Sequence, residues 1–133
     1  MKVRDVIRRI EADGWYLART TGSHRQFKHP TKRGLVTVPG KPGADLAIGT
    51  LMSIWETGAD RRRRLMRYAI VIEKANGNYS AYVPDLPGCI ATGVTVEETE
   101  REIREAIQFH HDGLREEGLP IPEPTSRVEY VEA

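Results

Sequence analysis

Thr21-Gly22-Ser23-His24-Arg25-Gln26-Phe27-Lys28-His29 is a glycine turn followed by an alternating segment, and its reading decides how the surrounding chain is arranged. In a strand from His24 to His29, His24, Gln26 and Lys28 share one face while Arg25 and Phe27 share the other. Turning Phe27 inward therefore turns His24 and Lys28 outward. An imidazole with an ordinary pKa of about 6.5 exchanges a proton near neutrality, and a neighbouring ammonium can hold a phosphate oxygen. That pairing suits cleavage of a phosphodiester; the plainer reading is a surface histidine beside a turn.

Working outward, Val3, Val6, Ile7 and Ile10 have the spacing of an amphipathic helix that Gly14 can end, with Lys2, Arg4, Arg8 and Arg9 on its other faces. Trp15 to Thr20 reads as a strand, His24 to His29 as a second, and Leu35 to Val38 as a third after Pro30-Thr31-Lys32-Arg33-Gly34. Pro39-Gly40-Lys41-Pro42-Gly43 breaks regular structure, and Ile48, Leu51, Met52 and Trp55 restore helical spacing until Gly58. The order helix, three strands, helix predicts two helices on one face of a small antiparallel sheet. The other face, carrying His24 and Lys28, is expected to be wet.

Ala59-Asp60-Arg61-Arg62-Arg63-Arg64-Leu65-Met66 interrupts the pattern, and its four arginines read as a solvated linker rather than a phosphate contact. Beyond it, Tyr68, Ile70 and Ile72 alternate as a strand, Asn76-Gly77 marks a hairpin, and Tyr79 to Val83 returns. Cys89 to Gly93 gives a third strand. Thr95 with Glu98 has capping-box spacing and opens a helix with Ile103, Ala106, Ile107 and Leu114 inward, closed by Gly118. Pro120, Pro122 and Pro124 lead to an expected last strand, Val128 to Val131. The fold class is α+β in two small domains, 1–59 and 66–133, joined by an Arg-rich linker at 60–65.

The net charge of +1 hides a division. Residues 1–64 hold 14 Lys and Arg against 6 Asp and Glu, whereas residues 65–133 hold 6 against 13. A basic half points to a polyanion such as nucleic acid, and an acidic half points to a competitor for the same surface. With 39% hydrophobic and 29% charged residues the chain is globular. No apolar run approaches the roughly 20 residues of a membrane span and the start shows no signal-peptide pattern, so a cytoplasmic protein with no membrane partner is expected. Cys89, the single cysteine, excludes an intrachain disulfide and reads as a buried strand residue rather than a nucleophile. His24, His29, His110 and His111 show no metal-ligand spacing, so neither metal nor other cofactor is expected.

Together, the first helix, Gly22-Ser23-His24 with Phe27, Val38-Pro39-Gly40-Lys41-Pro42, and Leu46 to Leu51 with Ser53-Ile54 resemble the HicA mRNA interferase toxins over residues 1–59. The resemblance implies a fold like a double-stranded-RNA-binding domain and endoribonuclease activity on mRNA, with His24 catalytic. The second half is similar to the HicB antitoxins through the Asn76-Gly77 hairpin, Tyr79 to Val83, Asp85-Leu86-Pro87-Gly88-Cys89, Thr92-Gly93 and the capped Ile103 to Leu114 helix. That implies a partial ribonuclease H-like β-β-β-α-β domain. Only Asp85 is placed like a ribonuclease H carboxylate, so this half is not expected to catalyse.

The expected mechanism is metal-independent: His24 takes the proton of a ribose 2′-OH, and Lys28, with Lys41 or Arg25, steadies the charge on the phosphate. Lys32 and Arg33 are further RNA-binding candidates, and Gly22 and Ser23 form the turn of the site. A rival reading is a non-catalytic RNA-binding or regulatory module, or an inert scaffold. HicB proteins often carry a DNA-binding segment after this domain; the chain ends at Ala133, so DNA binding is not expected. Toxin and antitoxin are expected to bind each other, within one chain or between chains. The seven residues between Ala59 and Arg67 span at most about 25 Å, a reach that favours exchange in a homodimer or higher homo-oligomer.

Overall fold

The computed structural model describes residues 1–55 and 66–133. The expected linker at 60–65, the end of the first domain and the tether lie outside the described residues. The first half runs α1 (Val3–Ala12), β1 (Tyr16–Thr21), β2 (His24–Lys28), β3 (Val36–Pro39) and α2 (Ile48–Trp55). The second runs β4 (Val71–Lys74), β5 (Tyr79–Tyr82), β6 (Ile90–Gly93) and α3 (Val96–Glu116). Each half holds a three-stranded antiparallel sheet, ordered β1-β2-β3 and β4-β5-β6.

α1 buries Val3, Val6 and Ile10 against Trp15, Phe27, Val36, Val38, Leu46 and Ile54, the apolar face of the first sheet and its flanking loops. Its opening N–H groups, which have no partner inside the helix, donate from Val3 to Ala44 O (2.9 Å) and from Arg4 to Pro42 O (3.1 Å). The Pro-Gly loop before α2 thus anchors the start of α1. In the second half, Thr95 Oγ1 accepts from Glu98 N (3.0 Å) and Glu98 reaches back to Val94 N (2.5 Å), so the predicted capping spacing does open α3. α3 buries Ile103, Ala106 and Leu114 against Ala81, Val83, Leu86, Cys89 and Ala91.

The two cores exchange residues. Ile90 of β6 belongs to the first core, with Tyr82 packed against it, whereas Leu35 of the first half belongs to the second. At the seam Thr37 N donates to Gly88 O (2.7 Å), forming a parallel bridge between Thr37 and Cys89. Gly88 has φ +83°, and a Cβ there would lie 2.6 Å from Leu35 O. Both conditions select glycine.

Each sheet also has its second face covered by the other half. α3 lies on β2 and β3, and α2 lies on β5 and β6. The expected wet face of the first sheet is therefore absent: His24, Gln26 and Thr37 are buried. The physical reason is a second buried side of α3, made by Phe109, His110 and Gly113, beyond the apolar stripe that serves its own sheet. Gly113 permits the approach, since a Cβ there would fall 2.1 Å from Gln26 Oε1 and 2.7 Å from Leu35 Cδ1.

The expected strand at Val128 to Val131 does not form. The chain after α3 is irregular, and Val128, Tyr130 and Val131 stay exposed, with no sheet edge receiving their alternation. Its earlier part is held down: Ile121 is buried in the second core, and Asp85 accepts from the N–H and hydroxyl groups of Thr125 and Ser126 at 2.7–3.1 Å. Asp85, the one strand-associated carboxylate that suggested a ribonuclease H site, thus fastens the C-terminal segment. Burial raises its pKa, but those bonds outweigh burial and hold it below the ordinary value.

Candidate active site

His24 is the first residue of β2, delivered by the Gly22-Ser23 turn in which Gly22 has φ +43°. Opposite it in register stands Pro39, and Gly40 N donates to Ser23 O, closing the turn onto the end of β3. Alternation works as read: Phe27 faces α1, while His24 and Gln26 face the other way, beneath α3. His24 is 1% exposed, and its Nε2 is buried without a hydrogen-bond partner among the described residues.

Two carboxylates of α3 stand beside that ring. A ring nitrogen of His24 and carboxylate oxygens of Glu102 and Glu105 all lie within 4.8 Å of one another, with Glu102 half-buried and Glu105 exposed. Burial pushes the His24 pKa down, and the nearby Glu105 charge opposes it only in part, so the ring is held neutral. Glu102 is pushed up, first by burial and then by Glu105, while Lys41 and Ser23 pull it back. Among the described residues these three side chains form the one His and carboxylate group close enough to hold a metal ion.

The rest of the face is tied to α3 by polar contacts. Gln26 Nε2 donates to Thr37 Oγ1 (3.3 Å) and to Phe109 O (3.2 Å). Thr37 Oγ1 lies 2.6 Å from His110 Nδ1. With Gln26 donating to the threonine oxygen, the hydroxyl proton is available to a neutral His110, whose pKa is pushed down to about 3, first by burial and then by His111. Lys28 Nζ contacts Glu117 Oε2 at 2.8 Å, a bond that raises the lysine pKa. Arg19 pairs with Glu116, and its guanidinium carbon stands 4.9 Å over the Phe109 ring.

Of the sequence-predicted site residues, the structure gathers Gly22, Ser23, His24 and Lys41 around the α3 carboxylates and sets Lys28 against the end of α3. Arg25 lies on the Phe27 face and reaches Pro39 O at 3.5 Å, while its Nε is buried without a partner. Lys32 pairs with Asp13 at the end of α1, and Arg33 is exposed; neither joins the His24 group. Gln26 was placed on the right face by alternation but given no role. Thr37, His110, Glu102 and Glu105 were missed, and Phe109 with Gly113, lying off the main helical stripe, was the available signal for them.

The second contact between the halves is built differently. Thr50 N and Oγ1 both donate to Glu73 Oε1 at 2.8 Å, and Ser80 Oγ meets Thr50 Oγ1 (2.9 Å) and Ala47 N (3.0 Å). The start of α2 is thereby capped by a strand of the other half. Asn78 exchanges bonds with the backbone of Asp45, each 3.0 Å.

Residues 3–58 match the family described as HicA toxin of bacterial toxin-antitoxin, and residues 68–133 match the HicB-like antitoxin of bacterial toxin-antitoxin systems. The chain is similar to an uncharacterised 14.9 kDa protein of Haemophilus phage HP1, 39% identical over 66 residues that make half of each chain. It is also similar to UPF0150 proteins. That of Synechocystis is 36% identical over 61 residues, 45% of this chain and 77% of the relative. That of Thermoplasma acidophilum is 35% identical over 69 residues, 51% of this chain and all of the relative. The match thus spans only half of the phage protein. Among the described residues no helix is long and apolar enough to cross a membrane.

Proposed function

Because this chain belongs to the bacterial HicA–HicB toxin–antitoxin proteins and joins both partners in one polypeptide, we propose that it is an mRNA endoribonuclease held silent by its own second half. His24 is the general base in this reading. It draws the proton from a ribose 2′-OH, whose oxygen attacks the adjacent phosphorus to form a 2′,3′-cyclic phosphate and expels the 5′-oxygen of the next nucleotide, which takes a proton from water or a lysine. Lys28 and Lys41 offset the charge gathering on the phosphate, with Arg25 in support. The first half is read as double-stranded-RNA-binding-domain-like within 1–59, and the second as a partial ribonuclease H-like domain within 66–133 that contributes no catalysis.

One observation carries the inhibition: His24 is buried under α3, with Glu102 and Glu105 where a phosphate would have to lie. The C-terminal end of the same helix occupies Lys28 through Glu117. Carboxylates in that position repel RNA and occlude the base at once. The length of the tether favours exchange between chains, whereas the packing of α3 on β2 and β3 supports closure within one. α2 already lies along the second sheet before the chain leaves it, which supports closure in cis.

The test is the chain with and without residues 66–133. The intact protein is expected to leave RNA whole, and the shortened one to cut it and arrest growth. An RNA with 2′-deoxyribose at the scissile position should resist. If the shortened protein binds RNA but leaves it intact, the first half is a binding module. If the intact chain is as toxic as the shortened one, the second half is no antitoxin. Crosslinking of the intact chain separates cis closure from an exchanged dimer.

A further inference from the structure

We infer that His24, Glu102 and Glu105 form a binding site for one divalent first-row transition-metal ion, of the Zn2+ or Mn2+ kind, assembled only when α3 lies on the first sheet. One imidazole and two carboxylates make a mixed N/O donor set, which suits such ions better than Mg2+ or Ca2+. All three donors lie within 4.8 Å of one another. A second observation is independent of that proximity: the His24 Nε2 atom is buried and has no hydrogen-bond partner among the described residues. A buried ring whose Nε2 has no partner among the described residues, beside two carboxylates, is a donor set suited to a cation.

The geometry needs little adjustment. Bonds of about 2.0–2.2 Å put neighbouring donors about 3.3 Å apart in a tetrahedral shell, so the carboxylates must close by roughly 1.5 Å. Glu105 is exposed and can rotate inward, while Glu102, half-buried and bonded to Ser23, needs the smaller move. Their open side supplies an entry path and a fourth position for water. Burial keeps His24 neutral, the state a metal requires, and the mutual repulsion of Glu102 and Glu105 is what a cation relieves. Lys41 is the competing charge and acts on Glu102 from the first half.

The three donors come from both sides of the contact, 78 residues or more apart in the chain, which is why spacing in the sequence hides them. An ion bound there stabilises closure by mass action. At a free concentration one hundred times its dissociation constant, the open population falls about a hundred-fold. Metal supply would then set how tightly the nuclease half is held. Binding does not depend on His24 being catalytic, so the two readings fail separately.

The experiment uses the full chain, stripped with a chelator and titrated with Co2+ as a spectroscopic probe, then with Zn2+ in competition. One ion per chain is expected, with visible d–d absorption and a rise in melting temperature. Glu102→Gln combined with Glu105→Gln should weaken binding about ten-fold or more and remove the thermal shift, with circular dichroism confirming the fold. His24→Ala should abolish the d–d bands. Absence of binding at millimolar ion, or equal affinity in the double variant, overturns the site. A chain that binds the ion but whose shortened form leaves RNA intact removes the nuclease reading alone.

Discussion

α3 on the first sheet and α2 on the second are reciprocal contacts between the same two halves, yet they differ in how their polar groups are satisfied. At the α2 contact, Glu73, Ser80 and Asn78 each accept or donate to a named partner across the boundary. At the α3 contact, His24 Nε2 on β2 and Arg19 Nε on β1 have none among the described residues, whereas in the sheet beneath α2 the atom left without a partner is the hydroxyl of Thr92, opposite Ser80. A buried polar group left unpaired costs about 1–3 kcal/mol. The difference is one of kind: the sheet under α2 leaves a neutral hydroxyl unpaired, whereas α3 covers a titratable ring and part of a guanidinium. On the proposed reading, these are groups that a substrate would use.

The largest expected effect tests that face directly. In a chain opened at the α3 contact, His24→Ala should lower RNA cleavage by about 10²–10⁴-fold while RNA affinity changes little, because phosphate contacts come mainly from lysine and arginine. Retained cleavage would falsify the role given to His24, and the contrast between the two contacts would lose its explanation.

Opening itself is the next effect. Gly113→Ala favours the helix intrinsically but places a methyl 2.1 Å from Gln26 Oε1, and Gln26 cannot yield without losing Thr37 or Phe109. Overpacking of about 1–3 kcal/mol raises the open fraction roughly 5- to 150-fold, read as released cleavage with unchanged helix content. Glu73→Ala, the matched change at α2, strands the Thr50 donors and should lower the melting temperature without releasing cleavage. Equal release by both variants would erase the distinction.

The smallest effect is a pH dependence. His110 has its pKa pushed down to about 3 in the docked state, chiefly by burial, against an ordinary value of 6.5. His24 is shifted in the same direction. Protons therefore bind the undocked or unfolded chain more readily. Stability due to neutral His110 is complete above about pH 6.5 and falls as pH drops from there toward 3, by at most about 1.4 kcal/mol per pH unit, and His24 adds a loss of the same sign. His110→Gln should flatten the melting-temperature profile between pH 6.5 and 4.5. An unchanged slope would remove His110 from the linkage.

Much of this was legible in the sequence. Apolar spacing located the three helices, the Gly22 and Asn76-Gly77 turns located two hairpins, and strand alternation put His24 and Gln26 opposite Phe27. The cover over that face was not legible. α3 carries a stripe for its own sheet, and nothing in a single helical period announces that Phe109, His110 and Gly113 serve a second one. The acidic side of α3 that includes Glu102 and Glu105 could be assigned from sequence only to water or to the basic half, and the structure sets these two beside His24. At the far end, alternation at Val128 to Val131 suggested a strand, but alternation specifies a strand only where a sheet edge is free to pair with it.

The exchange of Ile90 and Leu35 between the cores bears on how the protein is made. Synthesis proceeds from the amino terminus, and domains ordinarily fold as they emerge. Here the first half emerges before the residue that completes its interior. Until Ile90 arrives, its core lacks a buried isoleucine, a deletion that costs about 2–5 kcal/mol when imitated by alanine. The β-strand that supplies Ile90 leads directly into the helix that covers His24. Completion of the first core and arrival of the helix that covers His24 are therefore one event during synthesis, and a chain broken off before Ile90 should be degraded faster than the intact one in a pulse-chase measurement, though still folded enough to act.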